Sequence, residues 1–67
     1  NRLDIQQALQ KLNDWERELL TMKFIQGLTN EEIGRITGKS SGALRVAQYR
    51  ALKALQNVFE KNGADNE

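Results

Sequence analysis

Cysteine, histidine and proline are all absent from these 67 residues. Without cysteine or histidine, disulfides, zinc sites of the Cys/His type and iron–sulfur clusters are excluded. So are cysteine and histidine nucleophiles and bases, and cysteine usage carries no redox-compartment signal. No apolar run is long enough to span a bilayer, and there is no signal-peptide pattern. The length allows one domain, and a chain this short buries only about 60% of its unfolded surface. A core that thin argues against an enzyme needing a deep cleft. The sequence starts at Asn1 rather than Met, so a fragment or trimmed product is expected, carrying part of a parent protein's function.

The net charge is +1, but its distribution is uneven. Residues 1–38 carry five basic and six acidic side chains, net −1. Residues 39–53 carry Lys39, Arg45, Arg50 and Lys53 and no acid, net +4. Residues 54–67 return to net −2. A basic stripe inside a near-neutral chain points to a directed anionic partner.

No strand-like alternation occurs, and helix formers dominate. Four helices are expected, separated by glycine-containing joints. The first spans about Leu3 to Leu12, with Asp4 suited to its N-terminus. The second is capped by Asn13 or Asp14, carries Glu16 and Glu18 early, runs through Ile25 and stops at Gly27. Thr29-Asn30-Glu31-Glu32 is a capping box that opens a short third helix, with Ile33 and Ile36 inward and Gly38 at its end. Ser41 or Ser40 caps a fourth, long helix to about Lys61. Asn62-Gly63 is expected to end it, leaving residues 62–67 as a disordered tail behind a single domain over 1–61.

A capped short helix, a tight glycine-containing turn and a longer basic helix describe a helix-turn-helix. At about 100° per residue, Leu44, Ala47, Ala51, Ala54, Leu55 and Val58 gather on one side of the fourth helix, flanked by Leu52 and Phe59. Arg45, Val46, Tyr49, Arg50 and Lys53 fall opposite. That outer face suits the major groove: arginine binds guanine in a bidentate way, and Val46 or Tyr49 can touch thymine methyls or sugars. Lys39, Ser40 and Ser41 sit where phosphates meet a recognition-helix N-terminus. Gly42 costs helix propensity, and one reason to accept that cost is close approach of another backbone, such as a DNA strand. The plainer alternative is a solvated helix face; the fifteen-residue stretch without an acid and its place in a turn motif argue against it.

Gln48 falls on the inner arc, as a half-buried, hydrogen-bonded side chain rather than a base reader. Trp15 is either a lid on the first two helices or an anchor for a protein partner. Leu20 and Phe24 share one side of the second helix. Core packing is the preferred reading of that pair; a docking patch is the other, if the core takes Leu19, Met22 and Ile25. Asp14, Glu16 and Glu18 do not converge on one face, so dipole complementarity explains them better than a metal. There is no nucleophile–base pair and no phosphate-binding loop. No cofactor and no enzymatic activity are expected.

Four blocks then combine: Asp14-Trp15-Glu16-Arg17-Glu18-Leu19-Leu20, Gly27-Leu28-Thr29-Asn30-Glu31-Glu32-Ile33-Gly34, Gly38-Lys39-Ser40-Ser41-Gly42-Ala43-Leu44-Arg45 and Arg50-Ala51-Leu52-Lys53-Ala54-Leu55. In their order and spacing the chain, over about residues 8–60, resembles region four of bacterial RNA polymerase sigma factors, closest to the extracytoplasmic-function type. The resemblance implies an all-α, four-helix domain whose last helix reads the minus-35 promoter element. It also implies docking on the flap of the polymerase β subunit, an anti-sigma factor that covers these surfaces, and a cytoplasmic location. By position, Arg45, Val46, Tyr49 and Arg50 match the base- and backbone-contacting stretch, and Ser40, Ser41 and Gly42 the phosphate-contacting turn. Asn13 stands where the family often has proline, Val46 where serine is common, and Ala47 and Leu52 where arginine is frequent. The thinner basic stripe implies weak DNA affinity for the isolated domain and a moderate salt dependence. Two rival readings are the DNA-binding output domain of a response regulator or quorum-sensing regulator, and a helical module whose basic stripe binds an acidic protein.

Overall fold

The computed structural model describes residues 4–65, with side chains through Lys61. The described residues form four α-helices and no strand: α1 (Ile5–Gln10), α2 (Asp14–Leu20), α3 (Asn30–Thr37) and α4 (Ser41–Asp65). A π-helical segment, Thr21–Ile25, prolongs α2. The expected all-α helix-turn-helix architecture is therefore present.

Each helix is started by a side chain that accepts from an otherwise orphaned amide. Asp4, Asn13 and Thr29 form reciprocal capping boxes with Gln7, Glu16 and Glu32. Ser40, not Ser41, caps α4, its Oγ accepting from the Ala43 amide at 3.1 Å. The first helix is shorter than expected: it turns off at Lys11, and Leu3 lies outside the described residues. The end of α2 also differs, because the π-helical segment replaces a regular α-helical finish. There the Gln26 amide donates to the Thr21 carbonyl at 2.9 Å and the Leu28 amide to that of Met22 at 3.0 Å. The left-handed residues that follow α2 and α3 are the two expected glycines, Gly27 (φ 73°) and Gly38 (φ 76°). The fourth helix does not stop at Asn62-Gly63 but continues to Asp65. Asn66 and Glu67, the end of the expected tail, lie outside the described residues.

The core divides in two. Leu9, Leu12, Leu20 and Ala51 form one cluster, backed by Ala54, Leu55 and Val58. Leu19, Met22, Ile33 and Leu44 form the other, backed by Trp15, Leu28 and Ala47. Leu19 and Leu20 are neighbours about 100° apart on α2, so each faces a different cluster. α4 spans both: Leu44 lies in one and Ala51, two turns later, in the other. Its alanine-rich inner side lets it lie close against α2.

Three apolar residues depart from the expected core. Ile36 is 65% exposed. The inward stripe of α3 is Asn30, Ile33, Gly34 and Thr37, at i, i+3, i+4 and i+7, and Ile36 falls roughly 100° from its centre. Phe24 is 61% exposed and Ile25 is 48% exposed, whereas Leu20 is buried at 2%. The Leu20–Phe24 pair is thus split. Leu20 is covered by Leu9, Leu12 and Ala51. One turn on, Phe24 has no such cover and forms the wall of an apolar groove lined also by Ile5, Leu9, Ile25, Leu52 and Leu55, with Leu20 beneath. Leu20 is therefore a core residue rather than a free docking side chain.

Two predictions follow from this packing. Leu20→Ala lowers stability by about 2–5 kcal/mol through lost burial and a residual cavity, whereas Phe24→Ala costs a small fraction of that; denaturant titration of both variants checks the ranking. The second concerns the box that opens α3. Hydrogen bonds from the Thr29 amide (2.8 Å) and hydroxyl hold the Glu32 carboxyl below its ordinary value of 4.5, with Arg35 adding to the effect. Its stabilising contribution is complete above pH 4.5 and is lost as pH falls through the depressed value. Glu32→Gln keeps an acceptor for the box but no titrating group. It should therefore flatten the acid limb of the stability–pH curve below pH 4.5.

Candidate nucleic-acid interface

The turn between α3 and α4 is built from close backbone contacts. The Gly38 amide closes α3 on the Gly34 carbonyl at 2.8 Å. A Cβ on Gly34 would sit 3.0 Å from the Lys39 carbonyl, so the small residue lets the turn fold back over α3. Thr37 Oγ1 donates to the Ile33 carbonyl at 2.8 Å and accepts from the Lys39 amide at 3.3 Å. Those bonds lead the chain into Ser40 and the start of α4. The buried Ile33–Leu44 contact then locks the two helices together.

This arrangement turns one side of α4 outward. Arg45, Val46, Tyr49, Arg50 and Lys53 are all exposed, with Val46 at 51% and Tyr49 at 65%. They rise from one helix face, with i, i+4 neighbours Arg45–Tyr49, Val46–Arg50 and Tyr49–Lys53. The ion pairs among the described residues are Arg17–Asp14 at 2.6 Å and Arg35–Glu31 at 4.0 Å. Arg45, Arg50 and Lys53 take part in neither, so their charge faces solvent uncompensated. Gly42 continues this face one turn earlier, and a Cβ there would meet nothing within 4 Å. The first turn of the helix is thus left bare at this position.

Lys39, Ser40 and Ser41 are exposed at the head of α4. The Ser40 hydroxyl is engaged in capping, which leaves Ser41 as the uncommitted hydroxyl. The Lys39 ammonium lies 5.5 Å from the centre of the Trp15 ring, a cation–π distance. Trp15 itself is half-buried against the second core cluster. It covers that cluster with one face toward the turn, and the cation–π contact couples α2 to Lys39. Arg35 was missed by the sequence reading. It lines a surface cleft with Asn30, Glu31, Gly34, Lys39 and Ser41, bringing a further cation beside the turn. Its signal was its position one residue after Gly34 in a helix preceding the turn, outside the acid-free stretch that drew attention.

Gln48 is where the sequence placed it: half-buried, its Nε2 donating to Asn30 Oδ1 at 2.6 Å. Two of the acids of α2 have local partners. Glu16 completes the Asn13 box, and Asp14 holds Arg17. Among the described residues no acidic group has a metal-holding arrangement, and no helix is long and apolar enough to cross a membrane.

The open space at Gly42 generates a direct test. Gly42→Ala should raise stability by about 0.5–1 kcal/mol, because alanine favours the helix and its methyl meets nothing. A lower denaturation midpoint for that variant would contradict the geometry.

Comparison with known proteins places these elements in context. The family model "Sigma-70, region 4" matches residues 2–55. An ECF RNA polymerase sigma factor of Streptomyces griseus, ShbA, is 47% identical over 53 residues, covering 79% of this chain and 28% of the relative. The ECF sigma factor BldN of Streptomyces coelicolor is 42% identical over 52 residues, covering 78% of this chain and 20% of the relative. SigV of Bacillus subtilis, an RNA polymerase sigma factor, is 32% identical over 58 residues, covering 87% and 35%. The chain therefore spans between a fifth and about a third of the length of these curated relatives. No solved structure matches it. With the capped α3, the glycine turn and the basic face of α4 all inside the matched segment, the chain belongs to the sigma-70 region 4 family.

Proposed function

We propose that this chain is the promoter-reading module of an extracytoplasmic-function type sigma factor, acting in transcription initiation in the cytoplasm. Residues 1–61 make up the region 4 domain. Its work is recruitment rather than catalysis. The outer face of α4 enters the major groove of the minus-35 element, with Arg45, Val46, Tyr49 and Arg50 at base edges and Lys53 at the backbone. Lys39, Ser40, Ser41 and the bare Gly42 meet phosphates at the positive end of the α4 dipole. Arg35 adds a phosphate contact from α3.

The observation that carries this reading is the outer face of α4 from Arg45 to Lys53, which holds no acid and whose cations join neither of the ion pairs among the described residues. A solvated helix that served only packing would mix both signs along its outer side. Membership in the sigma family favours this reading over the regulator output domain. The polymerase β flap is proposed to dock on the apolar groove whose exposed walls are Ile5, Phe24, Ile25 and Leu52 and whose floor includes Leu20. Trp15 supports the neighbouring core rather than forming the main anchor, and an anti-sigma factor would compete for the same two faces.

Fluorescence titration against minus-35-enriched and random duplexes at two salt concentrations tests the assignment. Arg50→Ala should weaken binding to the preferred duplex by about 1–3 kcal/mol and relax discrimination at one position. Lys53→Ala should weaken all duplexes alike and lower the salt slope by about 1. Undiminished selective binding by folded Arg50→Ala would remove Arg50 from the base-reading set.

A further inference from the structure

The hydrogen bond between Asn30 and Gln48 does more than satisfy two half-buried amides. Gln48 Nε2 donates to Asn30 Oδ1 at 2.6 Å, joining the first turn of α3 to the second turn of α4. The other side-chain-to-side-chain hydrogen bonds among the described residues, Arg17–Asp14 and Gln56–Glu60, each stay within one helix. Everything else that holds α3 to α4 beyond the turn is apolar: Ile33 against Leu44, with Ala47 beside them. Apolar contact is non-directional, and an alanine offers little to resist rotation. A hydrogen bond is directional, weakening steeply as it bends. Gln48 lies on one flank of the buried stripe of α4, with Ala47 and Ala51 on the other. A bond on that flank resists rolling of the helix about its own axis.

We propose that Asn30 is a positioning residue for base readout: through Gln48 it sets the roll of α4, and with it the aim of Arg45, Val46, Tyr49 and Arg50. The assignment rests on the DNA-reading function proposed above. A roll of about 10° moves an atom about 6 Å from the helix axis by about 1 Å. That is enough to spoil a bidentate contact with a base, whose geometry is narrow. Attraction to phosphates is long-ranged and tolerates such a shift. Loss of the bond should therefore reduce selectivity and spare general affinity.

The test measures affinity for a duplex selected by the wild-type chain and for random duplex, across a salt series. Asn30→Leu should lower the selected-to-random ratio by about ten-fold, the scale of one misplaced base contact, with the salt slope unchanged. Asn30→Asp retains the acceptor and should restore the ratio. Gln48→Met keeps side-chain length without the amide, should repeat the loss, and carries the test if Asn30→Leu fails to fold. Asn30→Leu and Gln48→Met combined should be no worse than either alone. An unchanged ratio in folded Asn30→Leu or Gln48→Met would overturn the positioning role alone. So would failure of Asn30→Asp to restore it. A wild-type chain with no preference for any duplex would overturn the DNA-reading assignment, and this role with it.

Discussion

The arrangement depends on two adjacent leucines. Leu19 and Leu20 are both buried, at 0% and 2%, yet they belong to different clusters. Neighbouring residues on a helix point about 100° apart, so α2 must be covered on two sides at once. α1 and the middle of α4 cover one side; α3 and the start of α4 cover the other. This requires α4 to be long, since it must reach from Leu44 to Ala51 and beyond. It also means the exposed basic face is borne by the same helix that closes both halves of the core. The outer face of α4 is thus positioned by the whole domain, not only by the turn before it.

The turn supplies the second constraint. Gly34, Gly38 and Thr37 fold the chain back within one short segment, and the backbone of Lys39 comes to rest against α3. A relatively rigid junction of this kind suits recruitment, where affinity comes from holding several weak contacts in register rather than from one deep pocket. The apolar groove lies on the opposite end of the molecule's logic: it is made by α1, the π-helical segment and α4 where the first cluster runs out of covering side chains. Two faces therefore share one helix, one basic and one apolar.

Much of this was legible in the sequence because the signals were local. The Thr29–Glu32 box, the glycines that end α2 and α3, and the two sides of α4 all depend on spacing within a few residues. Gln48 was placed correctly because its wheel position lay on the edge of the buried arc. The failures came where the answer lay in another element. Ile36 read as inward by analogy with Ile33, but the true stripe of α3 uses Asn30, Gly34 and Thr37, which hydrophobicity does not mark. Leu20 and Phe24 looked equivalent on α2, and only the short reach of α1 decides which is covered. The continuation of α4 past Asn62-Gly63 shows a weak stop signal overridden by an established helix. Arg35 escaped because it precedes the turn and lies outside the acid-free stretch of residues 39–53.

The chain contains a single tryptophan, and that residue sits half-buried with the Lys39 ammonium over its ring. All indole emission from this chain therefore originates at one junction, where α2 meets the head of α4. A nearby cation perturbs an excited indole, so the spectrum carries information about whether that ammonium is over the ring or drawn elsewhere. The domain holds a built-in optical gauge of its own turn, needing no attached dye.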